Sequence, residues 1–307
     1  MRIAVMGSGG VGGYFGARLA AAGHPVAFIA RGAHLAAIRA RGLRVTSGKG
    51  DIHVPTPTVT DDPSTLAPVD VVLFAVKLWD TEDAARQVAP LVSGGGFVIP
   101  FQNGVESMTR VGAVVGPERV LGGTAHIAAK IGAPGVIEHI GTMARLRFGA
   151  AGGDAPPVAH ELAAAFRSLD VDAEVVPDIT RALWEKFAFL AAFSGITAAS
   201  RQPIGVARAD PDMRVVFEAA MREAFTVGRA RGVALADDYV EGQMRFADGL
   251  PQEMKSSLLH DLAAGNRLEA PWLSGAVLRM GREAGVATPV SAALYAAVKP
   301  YLEGAGR

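Results

Sequence analysis

The chain has 307 residues, a length typical of about two domains. Lysine plus arginine and aspartate plus glutamate total 30 each, so the formal net charge is zero, and neither nucleic acid nor an anionic membrane surface is an expected partner. Cysteine is absent, which excludes disulfides, thiolate nucleophiles and cysteine-ligated metals. No run approaches the roughly 18 apolar residues of a membrane span. The start of the chain is interpreted as a strand rather than a signal peptide, so we expect a cytoplasmic protein beginning at Met1.

The first half alternates short β-rich runs with helical patterns, which predicts a parallel sheet with crossover helices. Gly-rich and β-branched stretches from about Val120 to Phe148 predict antiparallel strands that extend this sheet, and a last strand is expected at Ala173 to Val176. The other predicted strands are Ile3 to Met6, Val26 to Ala30, Val71 to Val76 and Phe97 to Pro100, with helices over Tyr14 to Ala22 and Thr81 to Leu91.

Beyond Pro177 the strand pattern stops and helical patterns replace it. Asp210-Pro211 and Thr288-Pro289 are helix start signals, because a capping side chain precedes a proline at the first helical position. Gly232 and Gly285 indicate the corresponding helix ends. The sequence therefore predicts a Rossmann-type, doubly wound α/β domain over residues 1–177, followed by an all-helical domain over residues 178–307.

A glycine-rich hexapeptide, GSGGVG, lies between the first predicted strand and the first predicted helix. Its glycines follow the pattern of a dinucleotide-binding turn, in which the backbone approaches a pyrophosphate at a helix N-terminus. The alternative is a βα turn that merely contains small residues. The predicted cofactor contacts here are Gly7, Ser8, Gly9, Gly10, Val11 and Gly12.

The end of the second predicted strand indicates which dinucleotide binds. An NAD site offers an acidic residue to the ribose 2′-hydroxyl there, whereas this chain has Arg31 followed by Gly32. A guanidinium suits a 2′-phosphate, so the sequence favours NADPH. The alternative is a solvated loop arginine.

Two further polar residues follow predicted strands and are candidates for contacts near the nicotinamide or the substrate. Lys77 comes directly after VVLFAV, and Asn103 with Gly104 follows FVIP at a distance of two residues. The alternatives are a surface loop lysine and an ordinary turn asparagine.

A lysine in the second half is a candidate proton donor. In the helix ITRALWEKFAFLAAFSGIT, Lys186 shares a stripe with Leu190 and Ser194, so its surroundings are apolar and its pKa is expected to fall. The alternative is a lysine paired with a neighbouring acid such as Glu185. From its spacing alone, Glu269 is interpreted as an acidic residue near the start of a helix. The seven histidines show no metal-binding spacing, so no metal site is predicted.

Together these stretches resemble the ketopantoate reductase (2-dehydropantoate 2-reductase) family over almost the whole chain. The supporting segments are GSGGVGGYFG with Arg31, FAVK, QNGVES, GGTAHIAAKIGAPGVIEHIG, LWEKFAF and MKSSLLHDLAAGNRLE. The resemblance implies an NADPH-dependent enzyme that reduces a small 2-oxo acid in pantothenate biosynthesis. It implies that Lys186 is the general acid and that Glu269 is the second catalytic residue. The implied cofactor contacts include Asn103, Ala128 and Lys77. The implied substrate positions are Asn103, Lys186, Leu190, Ser194, Ser257 and Glu269.

The chain departs from the family pattern on the substrate side. Leu190, Ser194 and Ile204 stand where relatives have asparagines, and Ala270-Pro271 and Ser274-Gly275 replace Ile-Asp and Asn-Gly. Losing hydrogen-bonding groups changes substrate discrimination strongly, so two substrates stay open: 2-dehydropantoate, and a more apolar 2-oxo acid or carbonyl compound. A non-catalytic NADPH-binding sensor is a third alternative, which the intact Lys186 and Glu269 disfavour. The oligomeric state, including a homodimer, also stays open.

Overall fold

The computed structural model describes residues 1–304. The chain forms two compact units. The first comprises Met1–Gln102 and Glu106–Ile179, and the second comprises Asn103–Val105 together with the chain from Thr180 onward.

The first unit contains fifteen of the helices and strands assigned within residues 1–304. In chain order they are β1 (Ile3–Met6), α1 (Gly10–Ala21), β2 (Val26–Ile29), α2 (Gly32–Arg41), β3 (Leu43–Ser47), β4 (Ile52–Val54), β5 (Thr58–Thr60), β6 (Val71–Phe74), α3 (Thr81–Val92), β7 (Phe97–Pro100), α4 (Ser107–Val115), β8 (Gly122–Ala133), β9 (Val136–Gly149), α5 (Pro157–Arg167) and β10 (Asp172–Val175).

Five of these strands form a parallel sheet in the order β5-β2-β1-β6-β7. The side chains of β1 and β6 are buried along their whole length, as expected for central strands that are covered on both faces. The strand order reverses on either side of β1, which is the topological switch point where open α/β sheets bind ligands. The predicted Rossmann-type fold is confirmed.

The predicted antiparallel strands are present, but the prediction that they extend this sheet is wrong. β8 and β9 pair with each other and belong to a second sheet, of order β10-β9-β3-β4, in which β3 lies parallel to β9. The strands β3 and β4 follow α2. β3 pairs with β9, so the β8–β9 hairpin joins this second sheet and not the parallel sheet. α1 contacts both sheets: a Cβ on Gly13 would lie 2.8 Å from Ile137 of β9, and one on Gly16 would lie 2.7 Å from Phe28 of β2.

The second unit is helical, as predicted. It contains α6 (Ile179–Ser200), which begins at the end of the first unit, and α7 (Ile204–Ala209), α8 (Pro211–Ala230), α9 (Tyr239–Asp248), α10 (Ser257–Ala263), α11 (Ser274–Ala284) and α12 (Pro289–Val298).

The predicted helix signals of this unit are present in the structure. The Asp210 carboxylate accepts a hydrogen bond from the backbone N–H of Met213 at 2.9 Å, so it caps α8. α12 begins at Pro289 as predicted, but the Thr288 side chain makes no capping hydrogen bond, so that part of the prediction is wrong. α11 ends at Ala284 and is followed by Gly285, which has a left-handed backbone with φ of 67°. Within residues 1–304, no helix combines the length and the apolar character needed to cross a membrane.

Candidate active site

The glycine turn lies at the carboxyl end of β1, between the ends of β2 and β6. Gly7 donates its backbone N–H to the carbonyl of Ile29 at the end of β2, and the carbonyl of Met6 accepts the N–H of Ala75 just beyond β6. Gly7 has φ of 92°, and a Cβ there would lie 2.8 Å from the backbone of Ala75. Only glycine satisfies both the positive φ and this close approach, so the turn is built tightly against the neighbouring strand.

The remaining glycines of the turn differ in which neighbouring atoms, if any, exclude a side chain. A Cβ on Gly12 would lie 2.3 Å from the carbonyl oxygen of Gly7, so Gly12 allows α1 to pack closely. A Cβ on Gly10 would lie 2.2 Å from the carbonyl oxygen of Ala129 on β8. Gly9, at the N-terminus of α1, has no atom of residues 1–304 within 4 Å of its Cβ position, apart from its chain neighbours. Its missing side chain therefore leaves space open for a group from outside the protein.

Arg31 lies beyond the end of β2 and is the N-cap residue of α2. Its guanidinium is exposed and donates to the carboxylate of Asp80 at 2.6 Å. Asp80 ends the short 3₁₀ turn Leu78–Asp80 that follows β6. Arg31 is thus held toward the carboxyl edge of the sheet by an acid that the sequence analysis did not single out.

Lys77 and Ala128 lie in two different segments of the first unit. Lys77 directly precedes the 3₁₀ turn after β6, and its Nζ lies 5.7 Å from the centre of the Trp79 ring. Ala128 is exposed on β8, at the position where the pairing of β8 with β9 shifts register. Its neighbour Ala129 is the residue whose carbonyl passes close to Gly10, so this segment of β8 runs beside the glycine turn.

In the second unit, Lys186 and Asn103 form a direct contact. Lys186 Nζ donates a hydrogen bond to Asn103 Oδ1 at 3.0 Å. The two residues are 83 positions apart in the sequence, and Asn103 belongs to the three-residue segment that packs with the helical unit. Glu185, the alternative partner of Lys186, accepts a hydrogen bond from Arg181 at 2.7 Å instead.

The surroundings of Lys186 change its acidity. Burial lowers the pKa of Lys186 to about 8, while the negative charge of Glu269 acts in the opposite direction. Glu269 is itself buried, at 9% exposure, and precedes the 3₁₀ turn Ala270–Trp272. A lysine with this pKa is still an ammonium at neutral pH and gives up its proton more readily than an ordinary lysine.

The turn containing Asn103 is packed against the turn that follows Glu269. Gly104 has φ of 87°, and a Cβ there would lie 3.2 Å from the carbonyl oxygen of Trp272. The backbone of Asn103 thus lies in a turn, as the alternative of an ordinary turn asparagine predicts. Its side chain has the further contact with Lys186, so the helical unit gathers a cation, an amide and a carboxylate in one place.

Comparison with known families assigns the chain. Residues 3–153 match the family described as "Ketopantoate reductase PanE/ApbA", and residues 178–302 match "Ketopantoate reductase PanE/ApbA C terminal". The chain belongs to the ketopantoate reductase family. The predicted resemblance is confirmed, and the chain is an NADPH-dependent oxidoreductase of this family that acts on a small molecule.

Relatives match this chain over almost its full length. A 2-dehydropantoate 2-reductase of Halobacterium salinarum is 33% identical over 295 residues, which cover 94% of this chain and 95% of the relative. An uncharacterized oxidoreductase, YkpB, of Bacillus subtilis is 29% identical over 301 residues, which cover 98% and 99%. The crystal structure of a 2-dehydropantoate 2-reductase from Geobacter metallireducens is 31% identical, has a TM-score of 0.91 and matches 98% of this chain and 99% of that one.

The first unit of this ketopantoate reductase family member fits the NADPH of its family. The open space at Gly9 lies where α1 begins, and the first N–H groups of a helix have no acceptor inside the helix, so they are suited to a pyrophosphate. Ser8 offers no further donor, because its N–H and its hydroxyl both donate to the carbonyl of Ile29, at 3.1 and 3.0 Å. Ser8 therefore fixes the turn to the end of β2.

The family's substrate positions lie in different environments in this chain. Leu190 is partly buried and packs against the helical core, whereas Ser194 and Ile204 are fully buried at 0% exposure. Ser194 Oγ has no hydrogen-bond partner within residues 1–304. Ser257 is exposed at the first position of α10. Because Ile204 has no exposed surface, it does not line a solvent-accessible substrate pocket in this structure.

Proposed function

We propose that this enzyme reduces a 2-oxo acid to the corresponding 2-hydroxy acid, with 2-dehydropantoate as the first candidate substrate. The observation that carries the proposal is the Lys186 ammonium, which is buried, bonded to Asn103 at 3.0 Å and influenced by Glu269. Relatives that are named 2-dehydropantoate 2-reductase support the choice of substrate.

The proposed chemistry assigns one task to each group. NADPH, when bound, supplies a hydride to the carbonyl carbon of the substrate. Lys186 donates a proton from Nζ to the carbonyl oxygen, where negative charge develops as the reaction proceeds. Asn103 Oδ1 holds the ammonium in place. The Glu269 carboxylate stabilises the charged form of Lys186, and we assign to it the binding of a substrate hydroxyl, because a carboxylate accepts hydrogen bonds.

A second candidate substrate is a more apolar 2-oxo acid. Leu190 lies one helical turn after Lys186 on α6, and its side chain packs with apolar neighbours instead of offering a hydrogen bond. A pocket wall of this kind discriminates weakly between substrates with and without a hydroxyl. Leu190 is therefore compatible with a substrate that has an alkyl or aryl group in place of the hydroxymethyl group of 2-dehydropantoate.

A panel of 2-oxo acids tests the proposal and separates the two candidates. The loss of NADPH absorbance is followed with 2-dehydropantoate, branched aliphatic 2-oxo acids and aryl 2-oxo acids, each in excess. The highest kcat/KM with 2-dehydropantoate supports the first candidate, and the highest value with an apolar 2-oxo acid supports the second. An enzyme that binds NADPH but turns over no member of the panel contradicts both candidates and favours the sensor alternative.

A further inference from the structure

His34, in the first turn of α2, contacts the glycine turn of the first unit. Its Nε2 lies 2.9 Å from the carbonyl oxygen of Ser8, inside that turn. Its Nδ1 lies 3.0 Å from the backbone N of Gly135, in the tight turn between β8 and β9. One imidazole ring therefore joins the glycine turn of the first sheet to the hairpin of the second.

The backbone partners of His34 determine its protonation. An N–H donates and cannot accept, so Gly135 requires a lone pair on Nδ1. In a neutral ring the proton then lies on Nε2, where it is donated to the Ser8 carbonyl. Burial lowers the pKa of His34, which favours this neutral ring near neutral pH.

The bond to Ser8 fixes the direction of the next N–H group. The peptide bonds of residues 1–304 include no cis bond, and in a trans peptide the C=O and the following N–H point in opposite directions. With its carbonyl directed at His34, the Ser8–Gly9 peptide directs the Gly9 N–H away from His34. The Cβ position of Gly9 has no atom of residues 1–304 within 4 Å, apart from its chain neighbours, so there is open space beside this peptide.

We propose that His34 is a positioning residue for the cofactor: its Nε2–H holds the Ser8–Gly9 peptide so that the Gly9 N–H is aimed at a phosphate of the dinucleotide. Both donors of Ser8, its N–H and its hydroxyl, already hold the turn to Ile29, so the bond from His34 to the Ser8 carbonyl is the contact that orients this peptide plane. A fixed donor contributes more to binding than one that must be ordered on binding. This inference rests on the glycine turn as the cofactor site and is independent of the identity of the substrate.

Two amide variants separate the two bonds of His34. In His34→Gln the side-chain NH₂ reaches about as far as Nε2, so the variant can still donate to Ser8. In His34→Asn the shorter side chain places its oxygen near Nδ1, so it can accept from Gly135 but does not reach Ser8. Dissociation constants for NADPH and for NADH are measured by titration calorimetry on each purified full-length variant without substrate, and the Tm of the free protein is recorded in parallel.

We expect His34→Gln to bind both cofactors within about twofold of the wild type, and His34→Asn to lose roughly tenfold for both. The losses for NADPH and NADH are equal because both cofactors carry the pyrophosphate. Arg31→Ala is the contrasting variant, since its loss is confined to NADPH.

Three results would overturn the inference. The first is unchanged cofactor affinity in His34→Asn at unchanged Tm. The second is equal losses in the Asn and Gln variants, which indicates a structural role only. The third is a loss limited to NADPH. If His34→Asn does not fold, His34→Gln decides alone, because retained affinity supports the inference and lost affinity rejects it. A wild-type protein that binds neither cofactor contradicts the cofactor site itself.

Discussion

Lys186 Nζ and Asn103 Oδ1 are joined by a 3.0 Å hydrogen bond, which links α6 to the segment Asn103–Val105 of the same unit. The amide oxygen can only accept, so it fixes one N–H of the ammonium and leaves two others for a substrate carbonyl or carboxylate. The position of the proposed acid therefore depends on a residue that is far from it in sequence.

Removal of either partner is expected to lower activity to different degrees. Lys186→Ala removes the proton donor and should lower kcat by about 10²- to 10⁴-fold, the usual contribution of general acid catalysis. Asn103→Ala keeps the ammonium but leaves it less constrained, so a smaller loss in kcat is expected, about tenfold. Stopped-flow single-turnover rates with saturating NADPH measure both. Equal losses in the two variants would contradict the separate roles of donor and holder.

The pH dependence of the reaction should follow the ionisation of Lys186. Reduction needs the ammonium, and burial lowers the pKa of Lys186 to about 8, so kcat/KM for reduction should be constant below about pH 8 and fall above it. Oxidation of the 2-hydroxy acid needs the neutral amine and should rise through the same pH range. A reduction rate that stays constant to pH 10 in the wild type would show that another group donates the proton.

Glu269→Gln should move this alkaline limb to lower pH. The carboxylate raises the pKa of Lys186 against the effect of burial, so a neutral amide of similar shape lets the pKa fall further. The readout is the midpoint of the kcat/KM profile for reduction, which is separable from a general loss of substrate affinity. Glu185→Gln is the matched control, because Glu185 pairs with Arg181 and its loss should leave the midpoint in place. A midpoint that rises in Glu269→Gln would refute the assignment.

Arg31 and Asp80 should act in opposite directions on cofactor choice. The guanidinium of Arg31 is bonded to Asp80 at 2.6 Å, so a 2′-phosphate has to compete with that carboxylate. We expect Arg31→Ala to weaken NADPH by roughly 10- to 100-fold, the range of hydrogen bonds to charged groups, and to change NADH little. Asp80→Asn should tighten NADPH, because it frees the guanidinium and removes a like charge. Titration of each variant with both cofactors measures the ratio, and equal changes for NADPH and NADH would contradict this arrangement.

Local signals in the sequence correctly predicted the fold of the parallel sheet and several helix ends. Gly7 and Gly12 show the reason. The atoms that leave no room for a Cβ at these positions lie in the turn itself or at the strands beside it, so a short sequence motif is enough to predict the turn. The second sheet was missed because the strand Leu43–Ser47 has only five residues and pairs with β9, about 90 residues later in the sequence.

The contacts that define the candidate sites lie far apart in sequence. The bond from Arg31 to Asp80 spans 49 residues, and that from Lys186 to Asn103 spans 83. Neither pair has a periodicity or spacing that marks it, since the fold alone brings the partners together. The one local indication was that Lys77 and Asn103 each follow a predicted strand, a position at which ligand-binding residues of α/β sheets are expected.

The glycines of the turn should separate into those required by the fold and those required by the cofactor. Gly12→Ala places a methyl group 2.3 Å from the carbonyl oxygen of Gly7 and should destabilise the free protein by about 1–3 kcal/mol, the usual cost of overpacking. Gly9→Ala meets no atom of residues 1–304 within 4 Å, and its φ of −78° suits alanine, so Tm should change little. The added methyl group points into the space proposed for the pyrophosphate, so this variant should bind NADPH and NADH more weakly. Thermal unfolding without cofactor and calorimetric titration with it measure the two effects, and a Gly9→Ala protein with normal affinity for both would place the pyrophosphate elsewhere.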